Sequence, residues 1–185
     1  MKNYLLEQYN SQYRFDLLTK CDINNEYEIP KISKIVINMG LKELIANKNH
    51  ILPAFFALML ITGQKPVPTK AKKSIAMFKL RKGYHLSGLK VTLRGELMYQ
   101  FLFKLIMIIL PKNKDFVKFS SNQFDKNGNF SLGIDNIFLF PEIEKQLDNN
   151  QLVKPYGLDI SIVTNKKDLN TSKFLINLFG IPLKK

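Results

Sequence analysis

The sequence predicts an α+β fold of the ferredoxin-like type, an antiparallel or mixed sheet with helices packed on one face and the other face open. Segments of period two and segments of helical period follow one another in the order helix, strand, helix, two strands, helix, two strands, helix. Along the strands, apolar residues alternate with polar or basic ones, so a single face of each is built for burial. The 185 residues are 45% hydrophobic, enough for a substantial core, and no repeat or low-complexity linker interrupts them, so residues 1–185 are expected to form a single domain.

Taken in order, Tyr4 to Leu18 sets Leu5, Tyr9, Tyr13, Leu17 and Leu18 at helical spacing. After a turn at Glu28 to Pro30, Lys31 to Glu43 changes to period two: Ile35, Ile37 and Met39 share one side, Lys34, Val36 and Asn38 the other, and Gly40 ends the strand. A second helix is expected to start near Asn49, with Pro53 in its first turn, Gly63 as its stop, and a core face of Leu52, Phe55, Phe56, Met59 and Leu60. A short extended piece at Lys65 to Lys70 leads through a basic loop to a strand at Leu89 to Leu93, where Lys90, Thr92 and Arg94 oppose Val91 and Leu93.

Glu96 to Leu110 is apolar almost all round and reads as a buried helix closed by Pro111. Asp125 to Asn129 supplies turn chemistry before Phe130, Leu132 and Ile134 alternate with Ser131 and Gly133. In the next strand Leu158, Ile160 and Ile162 face inward, and a last helix from Asp168 to Phe179 ends at Gly180. Between Ile137 and Asn150 the charge turns acidic through Glu142, Glu144 and Asp148, which suits a protein neighbour better than phosphate.

The formal charge of +13 calls for a neutralising partner, either nucleic acid or an acidic membrane surface. That charge is concentrated. From Thr62 to Arg94 the chain carries Lys65, Lys70, Lys72, Lys73, Lys79, Arg81, Lys82, Lys90 and Arg94 with no Asp or Glu, and Gly63, Gly83, Gly88, Pro66 and Pro68 break the stretch into turns and strands. A genome rich in A and T would inflate lysine throughout, whereas this acid-free interval is local and ends at Glu96. Such clustering is the electrostatic footprint of nucleic-acid binding. No helix combines basic and base-reading side chains, so folded RNA suits this surface better than the DNA major groove. Phe78 is a candidate for stacking on a base or for anchoring the loop.

Catalytic and metal-binding patterns are absent: there is no Walker loop, Rossmann glycine fingerprint, GxSxG or HExxH, Cys21 is alone, and His50 and His85 are far apart. A non-enzymatic protein without cofactor or metal is therefore expected. The N-terminus lacks the pattern of a signal or transit peptide, and Ile51 to Ile61 and Leu97 to Leu110 fall short of the roughly 20 residues that cross a bilayer. The competing reading is a peripheral membrane-surface protein that uses its basic face and an amphipathic helix at Leu97 to Leu110.

Six blocks in order carry a resemblance: Lys31 to Glu43, Ile61 to Gly83, Lys90 to Leu102, Ser120 to Ile134, Phe140 to Glu144 and Gly157 to Thr164. Over nearly the whole chain they resemble the blocks of bacterial-type ribosomal protein L five. The resemblance implies a non-enzymatic component of the large subunit's central protuberance that binds 5S rRNA, touches neighbouring large-subunit rRNA, and reaches small-subunit protein S thirteen across an intersubunit bridge. It also implies a loop directed at P-site tRNA, and no membrane partner. Carried to this sequence, Lys34, Asn38, Met39, Gly40, Gln64, Lys65, Lys70, Lys90, Thr92 and Arg94 would face rRNA. Lys72, Lys73, Ser74, Phe78, Lys79, Arg81 and Lys82 would form the tRNA-facing loop. The turn from Gly83 to Leu89 and the stretch from Ile143 to Gly157 are longer than the family pattern. The drift toward Lys, Asn, Ile and Phe points to a mitochondrial ribosome ahead of a plastid or an AT-rich bacterium.

Overall fold

The computed structural model describes residues 3–21, 23, 25–41, 51–77, 80–83, 86–112, 119–144 and 155–184. In chain order the elements are α1 (Tyr4–Gln8), α2 (Arg14–Lys20), β1 (Ile32–Gly40), α3 (Ile51–Thr62), β2 (Val67–Lys70), β3 (Leu86–Leu93), α4 (Gly95–Lys104), α5 (Leu110–Lys112), β4 (Phe130–Ile134), α6 (Pro141–Glu144), β5 (Leu158–Thr164) and α7 (Leu169–Leu178). The strands hydrogen-bond in the order β2-β3-β1-β5-β4, an open five-stranded antiparallel sheet in an α+β fold. The chain resolves into two compact units, residues 1–35, 94–132 and 161–185 in one, and residues 36–93 and 133–160 in the other.

In the first unit a π-wound turn at Tyr9–Tyr13 joins α1 to α2, and a second at Leu105–Ile109 joins α4 to α5. Phe179, at the end of α7, is the aromatic centre. Tyr9 stacks on it with ring centroids 6.1 Å apart, and Tyr13 meets it edge-on at 5.5 Å. The Tyr9 hydroxyl donates to the Pro30 carbonyl at 3.0 Å, so the ring is buried without stranding its polar end. Antiparallel pairing of β1 with β5 is closed by Asn165, whose amide N–H donates to the Lys31 carbonyl and whose side-chain oxygen accepts from the Lys31 N–H.

The turn before β4 forms as its residues suggest. Asp125 accepts from the N–H groups of Asn127 and Asn129 and from the Asn129 side chain, while Gly128 takes φ +74°. On β4, Phe130, Leu132 and Ile134 are buried and Ser131 and Gly133 exposed. On β5, Leu158, Ile160 and Ile162 are buried. Both alternations match the expected registers.

Two expected core faces are corrected. On α3 the buried side is Ala54, Ala57, Leu58 and Ile61, whereas Leu52, Phe56 and Leu60 are exposed and Phe55 and Met59 half-buried. A helix apolar all round gives its pattern no direction, and the two alanines allow closer packing than a phenylalanine face would. The segment from Gly95 to Lys112 is not buried all round either: Met98, Tyr99, Phe101, Leu102, Leu105 and Ile109 face inward, and Leu97, Phe103, Met107 and Ile108 are exposed. Nor does Pro111 end it, since helical winding runs to Lys112 and the fixed proline φ is compatible with a helix. The expected start of the second helix near Asn49 lies outside the described residues.

Candidate nucleic-acid interface

The second unit contains nearly all of the acid-free basic stretch, and its two central strands explain the layout. Ile37 and Met39 on β1, and Leu89, Val91 and Leu93 on β3, are buried. Period two therefore turns Asn38 and Gly40, and Lys90 and Thr92, to the opposite side, where Gly40 and Lys90 are exposed and Asn38 and Thr92 half-buried. Burial of alternate residues fixes this register, because a slip of one residue would bring Lys90 into the core. Val67 of the edge strand β2 pairs with Lys90, so Lys70 and Lys90 belong to one β-ribbon.

In the first unit, Lys34 is half-buried on β1 beside Ile35, and Arg94 is exposed and extended (φ −142°, ψ 164°) immediately before α4. Gln64 and Lys65 are exposed on the turn that stops α3. Gly63, at φ +67°, reverses the chain, and the buried Thr62 hydroxyl donates to the Leu58 carbonyl at 2.8 Å while accepting from the Gln64 N–H at 3.3 Å. Gln64 and Lys65 are thus fixed by a closed helix end.

Met39 requires a correction. Its side chain is fully buried, so only its main chain can reach a partner on the open face. Its carbonyl instead marks a close approach of two strands: a Cβ added at Gly88 would sit 2.2 Å from it. Only glycine fits there without displacing backbone.

Beyond β2 the chain forms a short basic finger. Ile75 and Leu80 exchange two backbone hydrogen bonds of 3.0 Å, and the Gly83 N–H donates to the Ala71 carbonyl at 2.9 Å. Lys72, Lys73, Ser74, Arg81 and Lys82 are all exposed on it, and Met77 is 91% exposed. Phe78 and Lys79, with Tyr84 and His85 of the following turn, lie outside the described residues.

The finger springs from a β-bulge that the residue pattern did not reveal. Thr69 pairs with Gly88 and Lys70 with Leu86, leaving Ser87 as the extra residue. The Ser87 hydroxyl donates to the Thr69 carbonyl at 3.2 Å, and its own carbonyl accepts from the Leu41 N–H at 3.1 Å. A Ser-Gly pair at the start of a strand was the available signal.

Among the described residues the ion pairs are Arg14–Glu26 and Lys166–Glu28, both in the first unit, and Lys34, Lys65, Lys70, Lys90 and Arg94 take no part in them. No group of His, Cys, Asp and Glu among the described residues could hold a metal ion, and no described helix is long and apolar enough to cross a membrane. The arrangement offers cations and amide groups from rigid strands, with a protruding loop beside them. Such a surface can hold phosphates in a fixed pattern.

Comparison with known proteins agrees with this geometry. Residues 25–81 match the family described as ribosomal protein L5, and residues 86–183 match the ribosomal L5P family C-terminus. The chain is 44% identical over 183 residues to the large ribosomal subunit protein uL5m of Reclinomonas americana, covering 99% of each chain. It is 44% identical to uL5 of Lactobacillus johnsonii and 45% identical to uL5 of Pediococcus pentosaceus, each over 185 residues and the full length of both chains. With both halves matched and relatives aligned from end to end, the chain belongs to the ribosomal protein L5 family.

Proposed function

We propose that this protein, a structural constituent of the large ribosomal subunit and not an enzyme, binds 5S rRNA through the open face of its sheet. The observation that carries the reading is the register of β1 and β3, which turns Asn38, Lys90 and Thr92 away from the buried Ile37, Met39, Val91 and Leu93. Gly40, Gln64, Lys65 and Lys70 extend the contact within this unit, Met39 contributes main chain alone, and Lys34 and Arg94 of the other unit are further rRNA contacts in this reading. Lysines position the protein on phosphates, while the amide and hydroxyl of Asn38 and Thr92 add shape-dependent hydrogen bonds.

The finger carrying Lys72, Lys73, Ser74, Arg81 and Lys82, together with Phe78 and Lys79, faces P-site tRNA in this reading. The region of α6, with Glu142 and Glu144, takes a protein neighbour, small-subunit protein S thirteen across the subunit bridge. Neighbouring large-subunit rRNA completes the site in the central protuberance, and no membrane is involved. We place the protein in a mitochondrial ribosome on its Lys-, Asn-, Ile- and Phe-rich composition.

The test is to identify the RNA that co-purifies with the tagged chain after nuclease-free lysis. The expected result is 5S rRNA with large-subunit rRNA. Recovery of the chain on anionic liposomes after RNA is digested, with no ribosomal RNA bound beforehand, would overturn the reading.

A further inference from the structure

The basic finger raises a physical problem of its own. Among the described residues of the finger, Lys72, Lys73, Ser74, Ile75, Ala76, Met77, Arg81, Lys82 and Gly83 are all exposed and Leu80 is half-buried, so none of them is buried in a core. Lys72, Lys73 and Lys82 are cations within eleven residues, and their repulsion favours an open, spread loop. Yet the finger is closed. Hydrogen bonds cross it, and the ladder they form is not regular.

At the neck Ala71 is joined to Gly83, and farther out Ile75 is joined to Leu80. The two rungs are out of step, four residues apart on one side and three on the other. Ser74 covers the mismatch: its Oγ accepts from the Lys82 N–H at 3.0 Å, where a regular ladder would use a carbonyl. The base is fixed separately by the Ser87 bulge and its bonds to Thr69 and Leu41. The finger is therefore anchored below, and between its two backbone rungs one hydroxyl bridges the mismatch.

From this we infer that Ser74 is a positioning residue for nucleic-acid recognition: its hydroxyl sets the shape of the basic finger before RNA arrives, without itself contacting RNA. The inference rests on the reading of the finger as an RNA contact. An ordered loop does not have to be ordered by its partner, so removing the pin weakens binding while leaving the number of neutralised phosphates unchanged.

The experiment compares the full chain with its Ser74→Ala, Ser74→Thr and Lys72→Gln/Lys73→Gln variants in two measurements. Amide hydrogen exchange at Lys82 in the RNA-free protein is expected to be slowed in the wild type, fast in S74A and slowed again in S74T. Binding to a tRNA transcript, titrated against salt, is expected to weaken about five-fold in S74A, the equivalent of one ordinary hydrogen bond, with an unchanged salt slope and with recovery in S74T. The double lysine variant should instead flatten the slope.

If the lysine variant weakens binding and S74A matches the wild type, the inference is overturned and the finger remains an RNA contact. If S74A weakens binding but Lys82 exchanges equally fast in wild type and variant, Ser74 touches RNA directly and the positioning role is overturned. If neither variant affects tRNA binding, the reading of the finger as an RNA contact fails and the inference fails with it.

Discussion

Replacing Gly88 by alanine probes the strand contact beneath the proposed interface. The new Cβ would stand 2.2 Å from the Met39 carbonyl oxygen, 3.2 Å from its carbon and 3.4 Å from the Gly40 Cα, all main-chain atoms of β1 that no rotamer change can move aside. Restoring ordinary contact requires β3 to withdraw by about 1 Å, which puts the 3.1 Å bond from the Leu41 N–H to the Ser87 carbonyl at risk. Overpacking of this kind costs about 2 kcal/mol and a lost hydrogen bond about 1 kcal/mol more, together about 3 kcal/mol. For a chain of this size that lowers Tm by roughly 6–12 °C. Thermal unfolding followed by circular dichroism measures it, with Gly40→Ala as the control, since a Cβ there meets nothing within 4 Å. If Gly88→Ala melts with the wild type, or no lower than the control, the close approach of the two strands is wrong.

Two further predictions concern titration. At Asp125 desolvation acts to raise the pKa, but hydrogen bonds from the Asn129 side chain and from the Asn129 and Asn127 N–H groups outweigh it and hold the carboxyl below its usual range. Its stabilising contribution is present above the unfolded value of about 3.9 and is lost as pH falls through the lower folded value, so the stability gap between wild type and Asp125→Asn should close on acidification below about pH 4 in urea titrations. A gap that stays constant would contradict this. Tyr99 is pushed up to about 12, chiefly by burial and secondarily by neighbouring Tyr9. Its folded pKa lies above the unfolded value of about 10, so the wild type should lose stability relative to Tyr99→Phe as pH rises from about 10 to 12, and parallel losses in the two proteins would refute the assignment.

The residues made the strands legible because burial on one face imposes period two. β1, β3, β4 and β5 follow their alternations closely, and so Asn38, Lys90 and Thr92 could be placed opposite the buried side from sequence. The helices were legible as elements, less so in orientation. Nothing in Leu52, Ala54, Phe56, Ala57, Leu58 and Leu60 says which apolar side a sheet will accept, and the answer came from small side chains packing closely. Met39 shows a different limit. Resemblance placed it on the RNA side while period two placed it inside, and the structure buries its side chain. The bulge at Ser87 left only the weak signal of a Ser-Gly pair, and the Ser74 pin left none, because both depend on which backbone groups are left over when two strands pair out of step.

The central claim is that the open sheet face holds ribosomal RNA by its cations, and salt dependence tests it most directly. Affinity for a 5S rRNA transcript should be measured between 50 and 200 mM salt, roughly the range over which phosphate contacts weaken strongly, for the wild type and for Lys90→Gln/Arg94→Gln. The account predicts a steep linear fall in log affinity with log salt, and a slope shallower by about 1.8 in the double variant, about 0.9 for each lost duplex phosphate contact. Binding insensitive to salt, or a double variant with the wild-type slope, would contradict it.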